Sequence, residues 1–339
     1  TVLLILVQLV WIVFALVKLT EFVSWITTVF TILSILVVLY IIGKDDNSAY
    51  KIGWIVLIMA LPLFGGLFYL FYGDKKPSRK MRRKLNEQHG QYRQYLKEEG
   101  VPSRQAQEEY ARAAGSFRYV QKVSDFPAYT NTKVKYYPCG EKMFADMLED
   151  LRKAEHYIFL EYFIVSEGKM WDTILEILKE KAASGVEVRM IYDDMGCVTR
   201  LPGGYSEWLE KAGIKCMAFN PVIPFFSLVM NNRDHRKILD IDGHTAYTGG
   251  INLADEYINE IVRFGYWKDT GVRLHGEGVW SFTVMFLEMW NAFRKEDEDI
   301  DRFRPHVWHP EAFTGAGLVQ PYTDSPLDNE TIAENVYLD

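Results

Sequence analysis

Hydrophobic positions are spread unevenly along the 339 residues. Three runs near the start carry no charged side chain: residues 2–17 (VLLILVQLVWIVFALV), 22–42 (FVSWITTVFTILSILVVLYII) and 52–72 (IGWIVLIMALPLFGGLFYLFY). A helix that crosses a bilayer needs about 20 apolar residues, so the second and third runs are long enough and the first is marginal. No small-residue cleavage site follows the first run, and the next apolar run begins within five residues. That favours a third membrane helix over the remnant of a signal peptide. The pattern therefore predicts a multi-pass transmembrane region of two or three helices over residues 1–73.

The texture changes further on. From residue 126, apolar strand-like runs alternate with amphipathic stretches, the pattern of an α/β domain. "HYIFLEYFIV" (156–165) reads as a buried strand, "MWDTILEILKEKAASG" as a helix stopped by Gly185, and "VEVRMIYDDMG" as the next strand. "YSEWLEKAG" reads as a helix and "KCMAFN" as a further strand; a hairpin at 233–252 and a long helix, "VWSFTVMFLEMWNAFRKE", follow. The domain is expected to occupy residues 126–318. Residues 319–339 begin another strand and are read as the start of a second, truncated domain.

Charge refines this outline. The formal net charge is −7, but "KKPSRKMRRK" (75–84) holds seven basic residues and no acid. Basic clusters flanking a membrane helix stay on the cytoplasmic side and are drawn to anionic lipid headgroups. Residues 74–125 are expected to form a basic juxtamembrane connector, a linker rather than a core, and everything after it is expected to be cytoplasmic at the cell membrane. Cys139, Cys197 and Cys216 are too scattered for a disulfide framework and contain no C-x-x-C pair, which agrees with a reducing compartment.

Candidate chemistry centres on "RDHRKILDIDGHTAYTGGIN" (233–252). Asp242-Gly243 is the dipeptide favoured in a two-residue type I′ turn. With that loop, Ile241 faces His244, Lys237 lies opposite Thr248, and His235 lies opposite Gly250. Strand side chains alternate with a rise of about 3.3 Å, so His235 and Lys237 share one face about 7 Å apart, within reach of one phosphoryl group. Gly249 and Gly250 would let a ligand lie against the backbone. Asn252 returns to the same face and is a suitable N-cap for a helix in "LADEYIN", whose N–H groups would point to the same place. Asp242 sits in the turn, where an architectural role is expected. Acids also occur at strand ends, at Glu161, Asp193 and Asp194, near the edge where open α/β sheets bind ligands.

"HRKILDID" fits H-x-K-x4-D, and with "GHTAYTGGIN" it resembles the signature of the phospholipase D superfamily, with Gly250 where serine often stands. "YTGGINLADEYIN", "YWKDTGVRLHG" and the N-terminal "LPLFGGLFYLFYG" resemble bacterial cardiolipin synthases. The resemblance implies a phospholipase D-like α/β domain with a central mixed sheet flanked by helices. It also implies transfer through a phosphohistidine, without cofactor or metal, in which a histidine attacks a phosphodiester and a second motif's histidine moves the proton. On this basis His235, Lys237 and Asn252 are candidate catalytic residues, with Asp242 a motif member expected to serve the architecture. Gly249, Gly250 and Glu161 are candidate phosphate- or substrate-binding positions.

The substrate implied is an anionic phospholipid, phosphatidylglycerol, which would serve as both donor and acceptor at the membrane; nucleic acid is not expected as a partner. Among the seven histidines there is no second H-x-K, so the site is expected to need a second catalytic half or a second chain. A hydrolase of the same chemistry and an inactive membrane scaffold are the alternatives. "HVWHPE" (His306, His309) is expected to be a loop, and "RKEDEDIDR" a solvated helix end.

Overall fold

In a computed structural model of the chain, the described residues are 2–44, 46–73, 77–97, 110, 114–222, 232–296, 298–325, 327 and 330–338. Most of the connector between 98 and 113 lies outside them. The chain divides into two compact units, Thr1–Lys76 and Pro77–Asp339.

In the first unit the three apolar runs do not make three separate helices. The first two are one helix, α1 (Val2–Gly43), since the intervening Lys18-Leu19-Thr20-Glu21 contains no glycine or proline to stop it. The third run is broken into α2 (Ser48–Ala60) and α3 (Pro62–Tyr72). Pro62 lacks an N–H and cannot continue α2, but it suits the first position of α3. Among the described residues one segment, Phe22–Gly43, is long and apolar enough to cross a membrane, not two or three. Val37, Ile41, Ile58 and Tyr69 are buried where these helices meet.

The second unit is built on a seven-stranded mixed sheet ordered β1-β7-β6-β5-β2-β3-β4. The strands are β1 (Thr132–Tyr137), β2 (Tyr157–Tyr162), β3 (Glu187–Asp193), β4 (Lys215–Phe219), β5 (Lys237–Ile241), β6 (Thr245–Gly249) and β7 (Gly271–Gly276). β2, β3 and β4 are parallel, whereas β5, β6, β7 and β1 pair antiparallel. Alternate residues of β2 face opposite layers. Ile158, Leu160 and Tyr162 join one core with Met147, Ile174 and Leu209 of the flanking helices Gly140–Lys153, Lys169–Ala183 and Tyr205–Lys211. Tyr157 and Phe159 join the other, with Phe286 and Trp290 of the long helix Trp280–Phe293.

Two expectations are corrected here. Residues 79–97 are not merely a linker: α4 (Arg79–Tyr92), capped by the Ser78 hydroxyl, buries Met81 and Tyr92, and the turn of helix after it buries Leu96. Their sparse apolar positions are a helix face that completes the second core. The "RKEDEDIDR" segment is not simply solvated either. Glu298 lies 2.6 Å and Glu296 3.3 Å from the fully buried Arg189 guanidinium, which also pairs with Glu187 at 2.7 Å. A charge buried to that extent needs such partners, and three carboxylates gather around it. Lys215 and Arg302 balance the excess negative charge.

Candidate active site

The direction of the strands explains where the H-x-K segment lies. β5 runs antiparallel to β2, with Lys237 paired to Tyr162, so the start of β5 meets the carboxyl end of the parallel strands. His235 precedes the strand and is exposed, while Lys237 is buried. The turn that carries His235 is tied down from both sides. Asp193, at the end of β3, accepts from the Asp234 backbone N–H at 2.9 Å and from Gly196 N–H at 3.1 Å. On the other side Arg236 reaches Glu161 in β2 at 2.5 Å and Asp234 at 3.2 Å.

Phe163 and Ile164, directly after β2, form the hub of the site. The Phe163 ring lies 4.7 Å from the His235 ring, and the Lys237 ammonium sits 5.5 Å from the Phe163 centroid. Asn252 accepts from the Ile164 N–H through Oδ1 at 2.9 Å and donates through Nδ2 to the Tyr257 hydroxyl at 2.8 Å. His235, Lys237 and Asn252 therefore gather around one two-residue segment.

Burial sets the protonation of the pair. Desolvation, assisted by the Lys237 charge, holds the His235 imidazole below its ordinary value. Desolvation also lowers Lys237 to about 8, against the opposing pull of Asp234 and Asp269. Both shifts favour the uncharged form, the imidazole more readily at neutral pH than the ammonium. The ammonium uses one donor on the His235 carbonyl, at 2.7 Å, out of the three such a group has.

Other sequence-derived site positions stand differently. The hairpin register is displaced by one residue: Ile241 pairs with Thr245 rather than His244, and Leu239 with Tyr247. Asp242 and Gly243 both take positive φ, as the DG turn requires, but the His244 carbonyl turns to accept from Gly276 N–H of β7 and drops out of the β5–β6 ladder. Asn252 does not cap a helix. The segment after it is a short 3-10 turn, Asp255–Ile258, preceded by Ala254.

Gly249 and Gly250 are exposed, yet neighbouring backbone excludes a side chain at Gly249, and one at Gly250 would have to displace the Asp269 carboxylate. A Cβ on Gly249 would lie 2.5 Å from the Thr270 carbonyl oxygen, and one on Gly250 2.1 Å from Asp269 Oδ1. Glu161 is fully buried beside Arg236, and burial pushes its carboxyl well above the usual range, so it packs behind the His235 turn instead of facing a ligand. Asp242 accepts from three consecutive backbone N–H groups, of Glu155, His156 and Tyr157, each at 2.8 Å, and so anchors the start of β2. Asp194 accepts from Val222 N–H at 2.6 Å, a loop contact. Phe163, Asp234 and Asp269 were not singled out from sequence. The acids flanking an H-x-K segment were the available signal for Asp234; nothing local marks Phe163.

Residues 147–262 match the family model described as the cardiolipin synthase PLD-like domain, and residues 32–73 match the phospholipase D-nuclease N-terminal model. The domain that carries the site belongs to the phospholipase D superfamily. Within that class the chain is similar to bacterial cardiolipin synthases. It is 34% identical to the cardiolipin synthase of Alkalihalophilus pseudofirmus over 258 residues, covering 74% of this chain and 50% of that protein. The cardiolipin synthase of Staphylococcus aureus (strain Mu50) is 32% identical over 277 residues, covering 79% and 56%. A protein of Streptococcus mutans, described as uncharacterized, is 44% identical over 301 residues, covering 88% and 64%. The chain thus spans between half and two thirds of the length of these relatives.

Proposed function

We propose that the chain is the membrane region and first catalytic half of a cardiolipin synthase-like phosphatidyltransferase. The observation that carries this reading is the placement of the exposed His235 imidazole and the buried Lys237 ammonium on the same Phe163 ring at the carboxyl edge of the sheet. In the proposed reaction an imidazole nitrogen attacks the phosphorus of one phosphatidylglycerol and forms an N–P bond. The P–O bond to the headgroup glycerol breaks, and glycerol leaves with a proton supplied by the second half of the site. A hydroxyl of another phosphatidylglycerol then gives up its proton to that same group and attacks the phosphohistidine, which yields cardiolipin and restores His235. Lys237 stabilises negative charge on the non-bridging oxygens throughout. The buried Asn252 amide, held by Ile164 and Tyr257, has one further Nδ2 hydrogen to offer a phosphate oxygen.

The second half is proposed to come from a second catalytic domain or from a second chain, because no other H-x-K occurs in these 339 residues. The catalytic unit is proposed to lie on the cytoplasmic side of the cell membrane, next to its lipid substrate. The test offers phosphatidylglycerol vesicles to the complete protein and follows cardiolipin and glycerol. Both should appear, and His235→Ala should abolish them while the protein stays folded. Phosphatidic acid without cardiolipin would assign the hydrolase reaction instead, and no product from folded protein would refute the proposal.

A further inference from the structure

The apolar run 52–72, long enough to be a membrane span, folds back on itself. α2 has 13 residues and α3 has 11, or about 20 Å and 17 Å of helix, each well short of the roughly 30 Å hydrocarbon core. The far ends of the two helices meet: the Tyr50 hydroxyl, near the start of α2, donates to the Gly73 carbonyl, just past the end of α3, at 3.2 Å. One straight helix over the same residues would hold these positions about 35 Å apart. The end of α1 lies at this level too, since the Lys51 ammonium donates to the Ile42 carbonyl at 3.3 Å.

The bend is built into the sequence. Pro62 ends α2, and the turn pairs part of its own backbone: Leu61 N–H donates to the Leu57 carbonyl at 3.0 Å, while Phe64 and Gly65 N–H groups donate to the Leu61 carbonyl at 3.1 and 2.6 Å. A tip bonded in this way is compatible with hydrocarbon, where water is absent. Gly65 allows the two helices to touch, because a Cβ there would lie 2.6 Å from Ile58 Cα. Trp54 packs edge-on against Tyr69 inside the hairpin, at 5.3 Å. Outside it, Ile52, Val56, Met59, Phe64 and Phe68 are each more than half exposed. Charge is confined to the open end: Lys44, Asp46 and Lys51 lie there, and residues 52–72 contain none.

We infer that α2 and α3 form a re-entrant hairpin that enters one leaflet and leaves by the face it entered. Its outer surface is covered by the acyl chains of that leaflet. Phe22–Gly43 is then the span that crosses, and the segment Lys44–Lys51 lies on the same side of the bilayer as the basic cluster and the domain after it. Two complete crossings would place that segment on the opposite side. The inference rests on the membrane placement proposed above.

Single cysteines test it in the full-length protein in native membranes, as Ser48→Cys, Leu61→Cys, Lys80→Cys and Leu36→Cys. A membrane-impermeant maleimide is applied to right-side-out and inside-out vesicles, and labelled peptides are identified by mass spectrometry so that the native cysteines report separately. Ser48→Cys and Lys80→Cys should label from the same side, and Leu61→Cys and Leu36→Cys from neither. Labelling of Ser48→Cys and Lys80→Cys from opposite sides would overturn the hairpin but leave the membrane placement intact, and so would labelling of Leu61→Cys from the far side. Labelling of Leu36→Cys in sealed vesicles would overturn the membrane placement and the hairpin with it.

Discussion

The Lys237 side chain donates to the backbone carbonyl of His235, 2.7 Å away, so the ammonium beside the imidazole is positioned by the very turn that presents it. In the proposed reaction the pair sets two limits on activity. His235 must be unprotonated to attack, and its pKa is held below the usual histidine value, so the acid limb should lie below pH 6.5. Lys237 must be charged to stabilise the phosphoryl oxygens. Its value is lowered to about 8, so the rate should fall as pH rises through that point. Lys237→Arg keeps its charge throughout this range and should remove the alkaline limb, although its planar guanidinium should lower kcat about tenfold or more. The check is kcat/KM against pH for parent and variant; an unchanged alkaline limb in Lys237→Arg would show that another group is responsible.

Asp242 belongs to the motif but lies at the opposite end of β5 from Lys237, where it gathers the N–H groups of Glu155, His156 and Tyr157. Removing a carboxylate that accepts three such bonds leaves buried donors unsatisfied. Asp242→Ala should cost about 3 kcal/mol or more of stability. Whatever fraction stays folded should keep near-normal turnover per folded molecule. Thermal unfolding paired with active-site titration separates these effects, and a variant that was stable but inactive would place Asp242 in the chemistry.

Asp240, one strand position from the core-facing Leu239 and Ile241, is fully buried with its carboxyl accepting from Thr283 Oγ1 at 2.6 Å. Burial pushes it up to about 8. An unfolded aspartate titrates near about 4, so between these values the folded state holds a proton the unfolded state has lost. Stability from this group is therefore fully present below about pH 4 and declines as pH rises toward 8, by at most about 1.4 kcal/mol per pH unit. Asp240→Asn, which cannot ionise, should unfold at a higher temperature than the parent at pH 8, with the gap closing toward pH 5. A gap independent of pH would refute the assignment.

β2 was legible because a buried central strand reads as a near-continuous apolar run, β3 and β4 because short apolar stretches lie between helical ones, and the helix at Lys169–Ala183 because its apolar residues recur with helical period. β1 was not, since an edge strand with Lys133 and Lys135 exposed has little apolar alternation to show. The third apolar run is two helices broken at Pro62, and length and hydropathy cannot register a reversal made by one residue. At the site, the side-chain identities of His235 and Lys237 were readable. The one-residue displacement of the hairpin was not, because it follows from the His244 carbonyl pairing with β7, a contact between segments about 30 residues apart. Glu161 stood out as an acid in an apolar strand, but its partner Arg236 is fixed only by the pairing of β2 with β5.

Gly250 stands where the resemblance leads one to expect serine, and the structure supplies a reason. A Cβ at this position would come within 2.1 Å of Asp269 Oδ1 and 2.9 Å of its Cγ. Moving Asp269 aside costs the bonds its Oδ1 accepts from the Thr270 N–H at 2.8 Å and its Oδ2 from the Trp267 indole at 3.3 Å. Gly250→Ser should therefore lower stability by about 1–3 kcal/mol through overpacking, despite adding a hydroxyl that could donate to phosphate. Asp269→Ala removes the colliding atoms. In the double variant the serine fits, so the combined loss should be smaller than the sum of the single losses by about 1 kcal/mol or more. A double-mutant cycle on thermal unfolding measures that coupling. Strict additivity would mean that Asp269 is not what excludes a side chain at Gly250.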